Sequence, residues 1–191
     1  MSLFNYTHDT NFVLEIQDAG LTEQLTMGVL SCNLPSMRIP VTDIPTGPKG
    51  LGRSQVPGST FEHDPCMVRI VVDENLNSFI EVYQWMLSIN NYITHQNTAF
   101  YDGCQPVTAI LHVLNNEKDK IVLSYAMHGV WPGDVSEIEF KYDDQGNPVM
   151  SMMVMLHFRY FELFKDGVII KPRISVPEAQ EKLSLLKKAP K

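Results

Sequence analysis

The stretch from Leu34 to Gly58, LPSMRIPVTDIPTGPKGLGRSQVPG, holds five prolines and four glycines. Proline lacks a backbone donor and blocks a helix interior, so neither a helix nor a central strand fits there. A long extended loop is predicted over 34–58. Loops of that length inside a compact domain are normally functional or ordered by a partner, so this one is expected to serve assembly. The rest is ordinary globular material: 191 residues, 44% hydrophobic and 19% charged, enough for one domain around one core.

On either side of the loop, apolar spacing is mostly that of strands. Asn11–Gln17 (NFVLEIQ) is a strand-sized run, and Gln24–Cys32 (QLTMGVLSC) places Leu25, Met27 and Val29 on one face. Cys66–Val72 predicts another strand, and Val107–Leu114 and Ile121–Met127 flank the polar NNEKDK as a hairpin. Ser136–Tyr142 (SEIEFKY) alternates, DDQGNP supplies a turn, and Val149–Leu163 predicts a long strand that closes a second hairpin. Four methionines sit between Met150 and Met155, so alternation puts some on each face and both faces need cover, which another subunit could supply.

One helix is predicted over about 75–90, with Leu76, Phe79, Ile80, Tyr83, Met86 and Leu87 as the apolar stripe that such a helix turns toward a core. Ser78 and Glu81 have capping-box spacing, while Asp73 or Asn75 would serve equally as the cap. The fold class expected is mainly β (α+β): an antiparallel sandwich or small barrel with one packed helix over 1–164. Residues 165–191 read as an extension with a short helix-prone tail from Pro177.

Composition and motifs argue against several classes of function. A net charge of −7 lacks the clustered Lys and Arg that nucleic-acid binding needs. Cys32, Cys66 and Cys104 are odd in number and form no CxxC, which predicts a reducing compartment and no disulfide framework. No run approaches the ~20 apolar residues of a membrane span, and the N-terminus has no basic region before an apolar core. Gly47–Ser54 (GPKGLGRS) nearly matches a phosphate-binding loop, but Arg53 replaces the lysine and prolines stand where a strand and a helix are required.

The histidines His8, His63, His95, His112, His128 and His157 show no HExxH or i, i+4 pairing, and Glu62, His63, Asp64 and Cys66 read as a solvated turn. Nothing singles out Cys104 or Ser124 as a nucleophile, and Asp143-Asp144 belongs to a turn. The expectation is therefore no enzyme, no cofactor and no metal.

In order along the chain stand LPS, the Pro/Gly-rich run, VPGSTFEH, the strand CMVRIVV, Asp73 and a helix carrying Trp85. IVLSYAMHGVWP and GDVSEIEFKYDDQGNPVMSMMVMLHFRYFEL follow. Together they resemble the tail tube proteins of contractile-tailed bacteriophages, with Gly129-Val130-Trp131-Pro132 similar to the family's GLWP segment.

The resemblance implies hexameric rings stacked into the inner tube of a contractile tail, with a β-barrel lumen through which DNA is ejected. It implies a place in the virion tail, assembly in the host bacterial cytoplasm, and no membrane. The implied partners are further copies of the chain, the sheath, the baseplate and tape-measure proteins, and DNA that passes without specific binding. Contacts between subunits or rings are expected at Leu34, Pro35, Pro45, Gly47, Gly50, Arg53, Pro57 and Trp131.

Glu137, Glu139 and Lys141 share a face if SEIEFKY is a strand and are expected on the lumen wall, where acidic charge repels DNA. The same architecture serves a tube-end protein, either an initiator on the baseplate or a terminator. It also serves the tube of a tailocin or type VI-like injection device. The segment beyond Phe164 slightly favours a specialised end.

Overall fold

Every strand pair among the described residues is antiparallel, as short runs joined by turns require. The structure is a computed structural model and describes residues 6–17, 21, 25, 27–97, 108–141 and 149–172. Cys104, Asp143, Asp144 and the tail from Pro177 lie outside them.

Ahead of the helix come β1 (Phe12–Ile16), β2 (Val29–Cys32), β3 (Met37–Arg38), β4 (Val41–Thr46), β5 (Gly52–Pro57), β6 (Glu62–His63) and β7 (Cys66–Val71). Helix α1 (Asn77–Ile89) runs into β8 (Asn90–Asn91) and β9 (Gln96–Asn97). Then follow β10 (Thr108–Leu114), β11 (Ile121–His128), β12 (Trp131–Val135), β13 (Ser151–His157), β14 (Tyr160–Lys165) and β15 (Val168–Ile169).

Two sheets enclose the core, one in the order β1-β10-β11-β14-β15 and the other β12-β13-β7-β2. Alternation along β10, β11, β7 and β13 turns Leu111, Tyr125, Met127, Val68, Met152, Val154 and Leu156 inward, each almost wholly buried. Each fully buried Leu, Val or Met contributes about 1.5–3 kcal/mol. The exposed ion pairs Arg38–Glu62 and Lys141–Glu139 each contribute about 0–1 kcal/mol. The core therefore holds the sheets together.

One bent hairpin spans both sheets. His128 pairs with Tyr160 in the first and Trp131 with His157 in the second, while the Arg159 N–H donates to the His128 carbonyl at the bend. Gly129 turns this corner at φ 65°, and a Cβ there would lie 2.9 Å from Cδ of Arg159, so the position favours glycine twice over. The single strand expected over Val149–Leu163 is thus two, β13 and β14, in different sheets.

Three other expectations change. Residues 136–141 form no strand; β12 lies earlier, and beyond it the Ser136 N–H donates to the Met153 carbonyl while the Ser136 hydroxyl accepts from the Met153 N–H. Among the described residues of Gln24–Cys32 only Val29–Cys32 is strand. Leu25 is buried while Met27 is 81% exposed, and the Gly28 N–H donates to the Leu25 carbonyl, as in a helical turn rather than a strand. Beyond Phe164 the sheet continues, because Asp166 and Gly167, at φ 52° and 76°, make the tight turn that folds β15 back on β14.

The long loop is also structured. Its middle is a two-stranded arm, β4 with β5, in which Val41 opposes Pro57 and Pro45 opposes Arg53. Both prolines fall on one parity of the ladder. The other parity, Thr42 with Val56, Ile44 with Ser54 and Thr46 with Gly52, keeps its donors, and the Gly58 N–H donates to the Pro40 carbonyl at 2.7 Å. A two-stranded ribbon is all edge, so proline fits where a central strand would reject it.

Candidate assembly surfaces

The arm carries most of the predicted contact residues. Pro45, Gly47, Gly50, Arg53 and Pro57 are exposed on it, and the near phosphate-loop sequence forms its tip, a 3-10 turn at Pro48–Gly50 with no helix after it. Apolar side chains accompany them: Ile39, Val41 and Ile44 are 52%, 62% and 44% exposed, and Leu51 at the tip 86%. At the base of the arm Leu34 is exposed, but Pro35 is fully buried. Pro35 therefore packs inside this chain and offers no side chain to a partner.

The helix supplies a second surface. Its packed face is Ser78, Val82, Trp85 and Ile89, spaced at four, three and four residues. The stripe read from the sequence points elsewhere: Phe79, Ile80 and Tyr83 are exposed and Met86 and Leu87 half-buried. The correction has a physical cause, since α1 is apolar on both faces and carries one charge, Glu81.

Asp73 fixes which face turns inward. Its Oδ1 accepts from the Ser78 N–H at 3.0 Å and lies 2.9 Å from the Ser78 hydroxyl. Ser78 therefore starts the packed face and does not open a capping box with Glu81. The backbone hydrogen bond from Ser78 holds the Asp73 carboxyl below the usual carboxylate range.

Beside the helix a groove of about 580 Å³ runs to the half-buried Trp131, lined also by Met86, Leu87, Pro132 and Gly133. Trp131 stacks on His157 with ring centroids 4.7 Å apart, and Gly133 lies so close that a Cβ would stand 2.3 Å from the His157 ring. The predicted contact residue Trp131 thus belongs to the helix surface and is separate from the arm.

The outer faces of the two sheets differ. On the five-stranded sheet the His112 ring meets the Ser124 hydroxyl at 2.8 Å and stands 3.9 Å from Glu15, while His128 lies 3.3 Å from Glu162 and stacks on Tyr160. On the four-stranded sheet the outward residues include Met67, Met153 and Met155, with Met67 41% exposed. Glu137, Glu139 and Lys141 are exposed on the segment that follows β12, where Lys141 and Glu139 pair at 3.2 Å. Without a strand there, alternation no longer places these three on one face.

Among the described residues no three His, Cys, Asp or Glu side chains gather. The cluster at 62–66 disperses: Glu62 pairs with Arg38, His63 stacks on Phe158, Asp64 accepts from Ser36, and Cys66 meets Cys32.

The two-sheet antiparallel domain with one packed helix shares its fold with chains from structures of contractile injection devices. A cap protein of the anti-feeding prophage, described as its tube terminating cap, shares the fold at a TM-score of 0.62 and 11% identity, over 86% of this chain and 95% of that one. A chain of the sheath/tube terminator structure of an extracellular contractile injection system (PVC) shares it at 0.58 and 8% identity, over 85% and 99%. The chain belongs to the family described as T4-like virus tail tube protein gp19, whose model matches residues 8–162. It is also 44% identical over 168 residues to the tail tube terminator protein of Enterobacteria phage T4, covering 88% of this chain and 94% of that protein.

Proposed function

We propose that this chain is a tail tube terminator: it closes the end of a contractile tail tube as a six-membered ring and works by adhesion and shape, with no catalytic chemistry. The observation that carries the reading is the 44% identity with the terminator of phage T4 across nearly the whole of both chains. This prefers the tube end to the repeating inner-tube subunit. A repeating subunit needs a head-to-tail contact that propagates, whereas a terminator makes that contact on one side only.

Apolar side chains on the arm and on the outer face of α1 are the surfaces such a ring would cover, since patches of this kind on a soluble protein mark association sites. In this reading the partners are copies of the chain, the last tube ring and the sheath end, and DNA passes through without specific binding. The hydrogen-bonded outer face of the five-stranded sheet and the acidic segment at 137–139 are the surfaces suited to a water-filled passage.

Electron microscopy of the purified chain, alone and mixed with preformed tubes, tests the reading. Discrete rings of constant diameter that seat on tube ends are expected. Open tubes of indefinite length grown from this chain alone would return it to the repeating subunit. A monomer that leaves tube ends bare would end both readings.

A further inference from the structure

The whole segment 33–65, with the arm inside it, leaves the four-stranded sheet at Cys32 and returns to it at Cys66. Those two thiols are free and face each other, Sγ to Sγ, at 3.3 Å. The register explains the meeting. Cys32 opposes Val68, so Cys66 is its diagonal neighbour on the same, inward face of the sheet. Both thiols also converge on the Asn33 carbonyl, at 3.6 and 3.5 Å. Cys66 is wholly buried and Cys32 half-buried.

We propose that Cys32 and Cys66 are a disulfide-forming pair that a small-molecule disulfide oxidises, and that the resulting bond staples the base of the arm. A disulfide needs its sulfurs about 2.05 Å apart, so closure asks for a movement of roughly 1.3 Å. The chemistry balances in two exchanges. The half-buried Cys32, as thiolate, attacks one sulfur of the small disulfide, forms a mixed disulfide and releases one thiol. Cys66, as thiolate, then attacks the Cys32 sulfur, forms the intrachain bond and releases the second thiol.

Two protein thiols are oxidised, one small disulfide is reduced, and the two protons leave with the released thiols. The hydrogen bond with Cys32 and burial both push the Cys66 thiol up, which agrees with Cys32 reacting first. The closed loop holds β3 to β6, so the bond removes freedom from the unfolded chain and fixes both ends of the arm to one sheet. A reducing cytoplasm would keep the pair open and an oxidising medium would close it.

The test uses the full chain with Cys104→Ser, kept folded and incubated with oxidised glutathione. Intact mass should fall by two hydrogen atoms with no glutathione retained. Trypsin cuts after Arg38 and Arg53, so a nonreduced digest should hold peptides 1–38 and 54–69 joined, and reductant should part them. The oxidised protein should melt several degrees above the reduced one. Two thiols that stay free in the folded protein, glutathione that stays on Cys32, or bonds only between chains would each overturn the proposal. If Cys104→Ser does not fold, the same peptide map on the unsubstituted chain decides.

Discussion

Both faces of α1 are apolar, yet this chain packs only one of them. Val82, Trp85 and Ile89 sit in the core at 2%, 5% and 9% exposure, while Phe79, Ile80 and Tyr83, all within three residues of Val82, stand at 38%, 44% and 37%. The inner face joins the core, whereas the outer face stays exposed and is the surface that the proposed ring would cover. Substitutions on the two faces should therefore separate stability from assembly.

The largest effect is expected on the inner face. Trp85→Ala removes a buried ring from the shared core and should cost about 3–5 kcal/mol, read as a lower midpoint in chemical denaturation. A loss under about 1 kcal/mol would mean that α1 is not held by this face. A gain of about 1 kcal/mol is expected from Tyr125→Phe, because the buried Tyr125 hydroxyl has no hydrogen-bond partner among the described residues and its ring already stacks on Phe161 at 4.6 Å. A destabilised Tyr125→Phe would reveal a partner for that hydroxyl.

On the outer face, Ile80→Ser combined with Tyr83→Ser should change stability by no more than about 0.5 kcal/mol. The same double variant should lose ring formation in size-exclusion chromatography and electron microscopy. Rings formed normally by it would move the association surface from the helix to the arm. Deleting Pro45–Gly52 addresses the arm in the same way, and the domain should remain folded because every residue removed is exposed.

These contrasts also explain what the sequence hid. A strand-rich chain with one helix was legible because period-2 runs, the polar NNEKDK connection and the proline-dense stretch are local signals. The corner at Phe158 was not, because inward positions continue Met152, Val154, Leu156, Phe158 without a break while the chain changes sheets. Both sheets bury the same core, so period alone carries no mark of the bend. The Asp166-Gly167 turn is itself a dipeptide signal, and it lies inside the segment 165–191 that otherwise reads as an extension.

The helix face was misassigned for a different reason. Helical spacing marks an apolar stripe but does not say which of two apolar faces packs, and here the core takes the face of Val82, Trp85 and Ile89. The arm followed the same logic: proline content excluded a central strand correctly, but the parity of Pro45 and Pro57 permits a free ribbon. Cys32 and Cys66 are far apart in sequence, and only the β2–β7 register brings them together.

The smallest effect concerns the residue that orients α1. Asp73 accepts the Ser78 N–H, and that bond holds its carboxyl below its ordinary value near 3.8. A carboxyl lowered in the folded state adds stability that is fully present above the unfolded pKa and is lost as pH falls through the folded one. Asp73→Asn should therefore lower stability at neutral pH, and its deficit relative to the parent should shrink as the medium is acidified below about pH 4. Denaturation midpoints of both proteins at neutral and acid pH measure this. A deficit that does not change with pH would assign the role of Asp73 to the shape of the turn at Leu76, where φ is 56°, and not to its charge.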